Sequence, residues 1–325
     1  ELPALTDQPA IPRLVGRYEA GSESGIRWAR WPLEVHSAGC LLRFCLAPVG
    51  KWRDYDFLAI SATVTPVLGH ESQLITVTAG APIAPPYLGS PLLPALGVEP
   101  NAGAPWDHAW MLECWWPREA WGATPITVSW PARQLSVRWP IDPDASPTRW
   151  VRPDEQRPHG VRHPNPAEAP DTEAMNTQAI PVLVGELRSG VCDGFAWALW
   201  PIEVYSSGAT LRLRLIPATV SQIYRDTGAA FATWASVPSA PEQYIRLSAG
   251  GTEIPRTRGA RTPADAHATP GPTLPWDDTW TLTHWWPRDA WTHNELTLTW
   301  PARNLRLQLA LDLDALRHAA RNQQP

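Results

Sequence analysis

The chain lacks the features that place a protein in a membrane or on a nucleic acid. It contains no apolar run of the roughly 18 residues that a membrane-spanning helix needs, so no segment is predicted to cross a bilayer. Its formal net charge is −5, and Lys51 is its single lysine, with no basic stripe elsewhere. These absences argue against nucleic acids and anionic membranes as partners.

Motifs for metal binding and for catalysis are absent as well. The nine histidines are scattered, and the chain has no Cys-x-x-Cys, His-Glu-x-x-His or calcium-binding loop. It has neither a Gly-x-Ser-x-Gly nucleophile motif nor a glycine-rich phosphate loop. We therefore predict no metal site and no cofactor. The protein could be an enzyme only if one of the two copies of the internal repeat described below has an active site that the other copy lacks.

Cysteine is too rare for a disulfide framework. The chain has four cysteines, Cys40, Cys45, Cys114 and Cys192. None recurs at its matched position in the internal repeat described below, where a structural disulfide would usually be duplicated. We expect reduced thiols, which favours a cytoplasmic compartment. No signal peptide is visible, but the chain begins at Glu1 instead of Met, so secretion stays open.

What the chain does contain is a repeat of itself. Four segments return after 169 or 170 residues: 11–16 at 180–185, 31–35 at 200–204, 115–121 at 285–291 and 130–133 at 300–303. The repeat predicts two domains, residues 10–142 and 179–312. Residues 143–178 then form a Pro-rich linker. Residues 313–325 form a short helical or disordered tail, with Asp314 as the candidate N-cap.

Each copy reads as short strands, because its apolar residues recur with a period of two. About seven such segments fall in roughly 130 residues, with no helical period between them. This pattern predicts an all-β fold of two tandem, immunoglobulin-like antiparallel β-sandwich domains. A tight turn at Ala38-Gly39 would place Val35 opposite Leu42 and Glu34 opposite Arg43. The second copy would pair Glu203 with Arg212 in the same way.

Tryptophan is unusually frequent, with 20 residues, and eight of its positions are shared by the two copies. We interpret most of them as filling for a thin sandwich core, with Trp31 and Trp130 on the inner face. Trp115 and its counterpart Trp285 would face outward, because the adjacent Trp116 takes the inner face. An outward indole lies under a loop or against a second domain, or stacks on a sugar. The Trp-Pro pairs should mark places where strand pairing stops.

The candidate ligand-binding residues are the polar and aromatic residues that both copies share. They are Trp115, Trp285, Asp107, Asp277, Arg118 and Arg288. Each also has a structural interpretation: Asp107 can accept backbone N–H bonds in a turn, and Arg118 follows a Pro that starts a one-turn helix. Glu34 and Arg43 are interpreted as an ion pair at the surface, which would contribute little to the stability of the fold. Cys45, beside Arg43, is a conceivable nucleophile, but its counterpart is Arg214.

The end of each copy resembles a group of uncharacterised actinobacterial β-sandwich proteins. The resemblance rests on Trp300-Pro301-Ala302 in a hairpin, followed by a last strand and the segment 311–320. It covers about thirty residues of each copy. Those proteins often have Gly-Ile-Pro in the hairpin, where this chain has Arg133-Gln134 and Arg303-Asn304. The resemblance implies a β-sandwich fold and a bacterial origin, and no activity.

Three functions are compatible with these observations. The first is a non-catalytic binding or structural protein that presents two sandwich domains to a partner. The second is a pair of carbohydrate-binding modules that use Trp115 and Trp285. The third is an enzyme with a site in the loops of one copy, around Asp107 or Asp277. The partner is accordingly a protein, a glycan or a second copy of the chain.

Overall fold

The computed structural model describes residues 11–48, 75–79, 81–82, 110–121, 125–145, 180–217, 245–254 and 279–323. In this part of the chain the protein is all-β, with antiparallel sheets and one α-helix, as the period of two predicts. The chain divides into two compact units. The N-terminal unit comprises Pro12–Pro181 with Gln323–Pro325, and the C-terminal unit comprises Val182–Asn322 with Glu1–Ile11.

The described part of the N-terminal unit contains ten strands. They are β1 (Arg13–Val15), β2 (Glu19–Glu23), β3 (Ile26–Arg30), β4 (Leu33–His36), β5 (Gly39–Pro48), β6 (Thr76–Ala79), β7 (Ala81–Pro82), β8 (Trp110–Pro117), β9 (Ile126–Trp130) and β10 (Leu135–Trp139). One sheet has the order β1-β4-β5-β3-β2, with β8 also paired to β5, and the other has the order β10-β9-β6-β7. Side chains from both sheets form one hydrophobic core between them.

The C-terminal unit repeats this arrangement strand for strand. Its strands are β11 (Val182–Val184), β12 (Arg188–Cys192), β13 (Phe195–Leu199), β14 (Ile202–Val204), β15 (Gly208–Pro217), β16 (Arg246–Ala249), β17 (Thr252–Glu253), β18 (Trp280–Pro287), β19 (Glu295–Trp300) and β20 (Leu305–Ala310). The sheets are β11-β14-β15-β13-β12, with β18 paired to β15, and β17-β16-β19-β20. Its core likewise draws on both sheets.

A β-bulge at Trp31-Pro32 and at Trp200-Pro201 interrupts the strand that runs beside β5 or β15. Arg30 pairs with Phe44 and Glu34 pairs with Leu41, so three residues of one strand face two of the other. Because side chains alternate along a strand, one extra residue moves the following side chains to the opposite face. Trp31 is therefore buried outside the core cluster, and the prediction that it faces inward is wrong. Trp200 behaves in the same way.

The predicted register of the β4–β5 hairpin is wrong by two residues. Val35 pairs with Cys40 and Glu34 with Leu41, and in the second copy Glu203 pairs with Thr210. The turn consists of Ser37-Ala38, because Gly39 already belongs to β5. A shift of two residues preserves the face of every side chain. The inward positions of Val35 and Leu42 are accordingly as predicted, and both residues belong to the core.

The hairpins β2–β3 and β12–β13 are additional to the seven predicted strands. Their turns are Ser24-Gly25 and Asp193-Gly194, with φ of 51° and 71° in the first and 47° and 81° in the second. Positive φ at both central residues is the type I′ geometry that suits a two-residue hairpin. The Asp193 side chain also accepts a hydrogen bond from the Arg306 backbone N–H at 3.1 Å. This bond ties the turn to the second sheet of the unit.

The predicted tail contains an α-helix, α1 (Leu313–Arg321), which belongs to the core of the C-terminal unit. Its apolar side, including Leu313 and Leu316, packs against β11 and β14. The N-cap is Asp312, whose Oδ1 accepts a hydrogen bond from the Ala315 N–H at 2.9 Å. The choice of Asp314 as cap is therefore wrong by two residues, because the buried Leu313 is drawn into the first turn.

Of the predicted linker, only residues 143–145 lie among the described residues. Arg13 donates to the carbonyl oxygens of Pro143 and Ala145, at 3.1 and 3.0 Å, and so ties this segment to β1. The longest helix in the described part of the chain has nine residues. None there combines the length and the hydrophobicity that crossing a bilayer requires.

We predict that Trp130→Ala lowers the free energy of unfolding by about 3–5 kcal/mol, as for other buried aromatic residues. The indole of Trp130 is fully buried, and Trp300 occupies the same place in the second core. Denaturant unfolding followed by circular dichroism measures the loss. Ser136→Ala, an exposed change on the same hairpin, is the control and should stay within about 0.5 kcal/mol. A loss below about 1 kcal/mol for Trp130→Ala would contradict its core role.

We also predict that Asp312→Ala destabilises the C-terminal unit by about 1 kcal/mol, because it removes the acceptor that caps α1. Asp314→Ala is the matched control, since Asp314 lies in the first turn and its side chain is exposed. Thermal unfolding of the two variants should show the larger loss for Asp312→Ala. The opposite ranking would show that Asp314 is the cap.

Candidate functional site

In each unit, duplicated polar and aromatic residues gather on the sheet face that points away from the core. We call these groups the outer-face clusters. They comprise Trp31, Glu34, His36, Arg43 and Trp115 in the N-terminal unit, and Trp200, Glu203, Tyr205, Arg212 and Trp285 in the C-terminal unit. Strand alternation explains the grouping, because Leu41 pairs with both Glu34 and Trp115 and lies on that face. All ten cluster residues are buried.

An arginine stacks on the bulge tryptophan in both clusters. The Arg43 Cζ lies 4.9 Å from the ring centroid of Trp31, and Arg212 and Arg214 lie 4.4 and 4.6 Å from that of Trp200. A desolvated guanidinium over an indole is attracted by the negative face of the ring, by about 2 kcal/mol. The arginines therefore hold in place the indole that the bulge turns away from the core.

Arg43 and Arg214 also contact a polar side chain on the neighbouring strand of the sheet. The Arg43 Nε lies 2.9 Å from Glu113 Oε1 on β8. In the second copy Thr283 replaces Glu113, and Arg214 Nε donates to the Thr281 hydroxyl at 3.3 Å. The polar network on this face is therefore retained in both units with different residues.

Each cluster also contains a buried carboxylate. Glu34 is 2% exposed and Glu203 is 5% exposed, whereas Glu34 and Arg43 were predicted to form a surface ion pair. The surface assignment is wrong, because this face of the sheet is covered. The Tyr205 hydroxyl lies 3.5 Å from Glu203 Oε2. A buried carboxylate is stable only when hydrogen bonds or opposite charges compensate its lost hydration, and the Tyr205 hydroxyl provides such a contact for Glu203.

Trp115 and Trp285 lie on the outer face, as predicted, and their indoles cover a glycine on the neighbouring strand. A Cβ atom at Gly39 would come within 2.6 Å of the Trp115 indole, and one at Gly208 within 2.5 Å of the Trp285 indole. The two tryptophans are only 6% and 8% exposed. Stacking of a sugar requires an accessible indole face, which these positions do not present.

Arg118 and Arg288 fasten the turn between β4 and β5, or between β14 and β15. A one-turn 3-10 helix forms where the sequence predicts one, but it begins at Arg118 or Arg288, and the preceding Pro is its N-cap and not its first residue. The Arg118 backbone N–H donates to the Ala38 carbonyl at 3.0 Å, and its guanidinium donates to the Ser37 carbonyl at 3.4 Å. Arg288 makes the equivalent bonds, at 2.9 and 3.2 Å, to Ser207 and Ser206. Their observed contacts are therefore structural.

The remaining candidates are two aspartates and the cysteines. Asp107 and Asp277 lie outside the described residues. Cys45 is fully buried, which removes it as an accessible nucleophile. Burial raises the pKa of the Cys40 and Cys114 thiols to about 12, so both are protonated at neutral pH. Cys192 is partly exposed, but burial and the neighbouring Asp193 raise its thiol pKa as well.

An open depression lies beside the start of α1, with a volume of about 700 Å³. Its polar lining residues are Thr292, His293, Asn294, Asp312, Asp314 and Arg317. Asp312 caps the helix, and Arg317 donates to the Trp291 carbonyl at 2.8 Å, so both are committed to the fold. Among the described residues, no three His, Cys, Asp or Glu side chains are grouped as a metal ion would require.

The covered glycines are the feature of this face that the sequence analysis missed. Gly21 on β2 and Gly190 on β12 lie in the same way against the indole of the paired Trp28 or Trp197, but these two indoles pack against the core and not on the outer face. All four glycines recur at matched positions, which is a signal that a comparison of the copies could have used. Glycine leaves the space that the large indole fills.

Comparisons with protein-family models, curated proteins and solved structures found no match for this chain.

We predict that Gly208→Ala destabilises the C-terminal unit by about 1–3 kcal/mol, the range for overpacking. The added methyl would lie 2.7 Å from the backbone oxygen of Trp286 on the paired strand, which cannot move without breaking the ladder. Gly190→Ala is the control, because the three atoms nearest to its methyl all belong to the Trp197 side chain and none to the backbone. Urea unfolding should rank Gly208→Ala as the more damaging change. Equal losses would refute the close packing of β15 on β18.

Proposed function

We propose that this protein is a non-catalytic binding or structural protein built from two tandem, immunoglobulin-like β-sandwich domains. One observation supports the proposal: the duplicated arginine and tryptophan candidates in the described part of the chain make contacts that stabilise the framework. Arg43 and Arg212 stack on buried indoles, Arg118 and Arg288 fasten turns, and Trp115 and Trp285 cover glycines. What the two copies share is thus a scaffold.

On such a scaffold, we expect the loops to bind the partner. In sandwich domains the connections between strands carry binding, because the rigid sheets position them. Two Pro- and Gly-rich segments follow β7 and β17, at 83–105 and 255–275, and we interpret them as long loops from their composition. They differ in sequence, while the strands beside them match. A shared scaffold with divergent loops favours two different contacts with a partner. The resemblance of the strand ends to bacterial sandwich proteins supports the same fold, and the partner is proposed to be a protein.

The proposal is tested by affinity capture from the host organism with the full chain and with a variant in which residues 83–105 are replaced by a Gly/Ser linker. We expect a partner that the wild type retains in a saturable complex, that the variant loses, and that mass spectrometry shows chemically unchanged. Ser136→Ala, on an exposed framework position, is the matched control and should retain the partner.

Two results would contradict the proposal. Repeated chemical conversion of a captured molecule by the wild type would identify an enzyme. Retention of every captured partner by variants lacking either loop would show that recognition does not use these connections. Binding to a glycan array that Trp115→Ala abolishes would instead identify the carbohydrate-binding alternative.

A further inference from the structure

In the described part of the chain, β20 is the last strand of its sheet, and side chains of the neighbouring hairpin bond to its outer edge. The strand pairs with β19 on its inner edge. On the outer edge, the Arg306 N–H donates to Asp193 Oδ2 at 3.1 Å, and the Arg306 carbonyl accepts from the Cys192 thiol at 3.3 Å. The Ala310 carbonyl accepts from the Arg188 guanidinium at 2.7 Å. We call these three side chains the edge clamp.

Strand alternation brings the clamp residues to these positions. Arg188 and Cys192 are four residues apart on β12, so their side chains lie on the same face of the strand. Cys192 packs against the core, so that face is the one turned toward the second sheet. Asp193 follows in the hairpin turn, with a φ of 47°. The strands β12 and β20 contact each other directly, so the clamp joins the edges of the two sheets.

The alternation of β20 shows which of its backbone groups face the clamp. The odd-numbered residues from 305 to 309 are buried, and the even-numbered residues from 306 to 310 are exposed. The N–H and C=O of one residue in an antiparallel strand point to the same edge, and those of the next residue point to the other edge. Because Arg306 and Ala310 bond to the clamp, the backbone groups of Gln308 turn to that edge as well. The clamp therefore lies along the groups that a further strand would need.

A strand cannot be added at this edge while the clamp is in place. Neighbouring strands of a sheet lie about 4.8 Å apart. The clamp atoms lie between 2.7 and 3.3 Å from the backbone atoms of β20, which is inside the space that a new strand would occupy. Natural proteins protect the edges of their sheets, because an open edge can pair with another chain. Opening of the clamp would release the backbone groups of Arg306 and Ala310 for such pairing.

We propose that the edge clamp is an autoinhibitory contact: when it opens, β20 pairs antiparallel with β20 of a second copy of the chain. A two-fold axis at Gln308 would place Gln308 opposite Gln308 and Arg306 opposite Ala310, so each outward N–H meets a carbonyl. Like charges directly opposite each other destabilise a strand pair, and this register avoids them. The leucines of β20 stay in the core, because the pairing uses only the outer edge of the strand.

The clamp is opened in the full chain by Arg188→Ala, Cys192→Ala and Asp193→Gly together. Glycine keeps the positive φ at position 193 and removes the acceptor, and the net charge is unchanged because one charge of each sign is lost. Sedimentation velocity over a range of concentrations, with a reductant present, should give about twice the apparent mass of the wild type. Ser189→Ala with Val191→Ala is the matched control, since both residues are exposed on the other face of β12, and it should leave the mass unchanged.

A further substitution tests whether β20 is the strand that pairs. Gln308→Pro removes an N–H from the outer edge and no bond to β19, and proline is tolerated on the free edge of a strand. Added to the clamp variant, it should restore the wild-type mass. Circular dichroism checks that each variant is folded, and Asp193→Gly alone is measured if the triple variant is not. An unchanged mass in the folded clamp variant, or association that persists with Gln308→Pro, would overturn the proposal.

Discussion

The rest of each unit depends on the one-residue bulge at its Trp-Pro pair. Proline at 32 or 201 has no N–H to donate, so the strand cannot continue a regular ladder through it. The extra residue reverses the alternation, which sends the preceding indole to the outer face while Leu33 and Val35 return to the core. An indole on the outer face then requires a partner there, and Arg43 or Arg212 supplies it.

Burial of both faces follows from this arrangement and explains the unusual tryptophan content. The inner face is filled by indoles such as Trp116 and Trp130, as expected for a thin core. The outer face is filled by Trp31 and Trp115, which cover a guanidinium and a glycine. Polar groups can be buried there because each meets an aromatic ring or a hydrogen-bonding side chain. Tryptophan thus serves two packing layers in each unit, and the same residue type has a different role in each.

Period and repetition were sufficient to predict the all-β fold, the core face of most strands and the outward position of Trp115. They did not predict the exact turns and hairpins, which depend on backbone geometry. The turn of the β4–β5 hairpin lies one residue earlier than predicted, which shifts the strand register by two residues, because Gly39 belongs to β5, where it makes room for an indole. The β12–β13 hairpin was missed although Asp193-Gly194 is a strong turn signal. The burial of Glu34 could not be predicted, since alternation identifies a face but not what covers it.

The differences between the copies show how far this framework tolerates change. In the N-terminal core Phe44 stacks on Trp139, with ring centroids 4.8 Å apart. The matched residues in the C-terminal core are both leucines, and there α1 adds Leu313, Leu316 and two alanines to the core. Paired substitutions that exchange volume in this way leave a fold intact, because packing depends on the total volume and on the pattern. The two cores can therefore contain chemically different side chains at matched positions, such as the buried Cys114 and His284. The bulge, the stacked arginine and the covered glycine are present in both units.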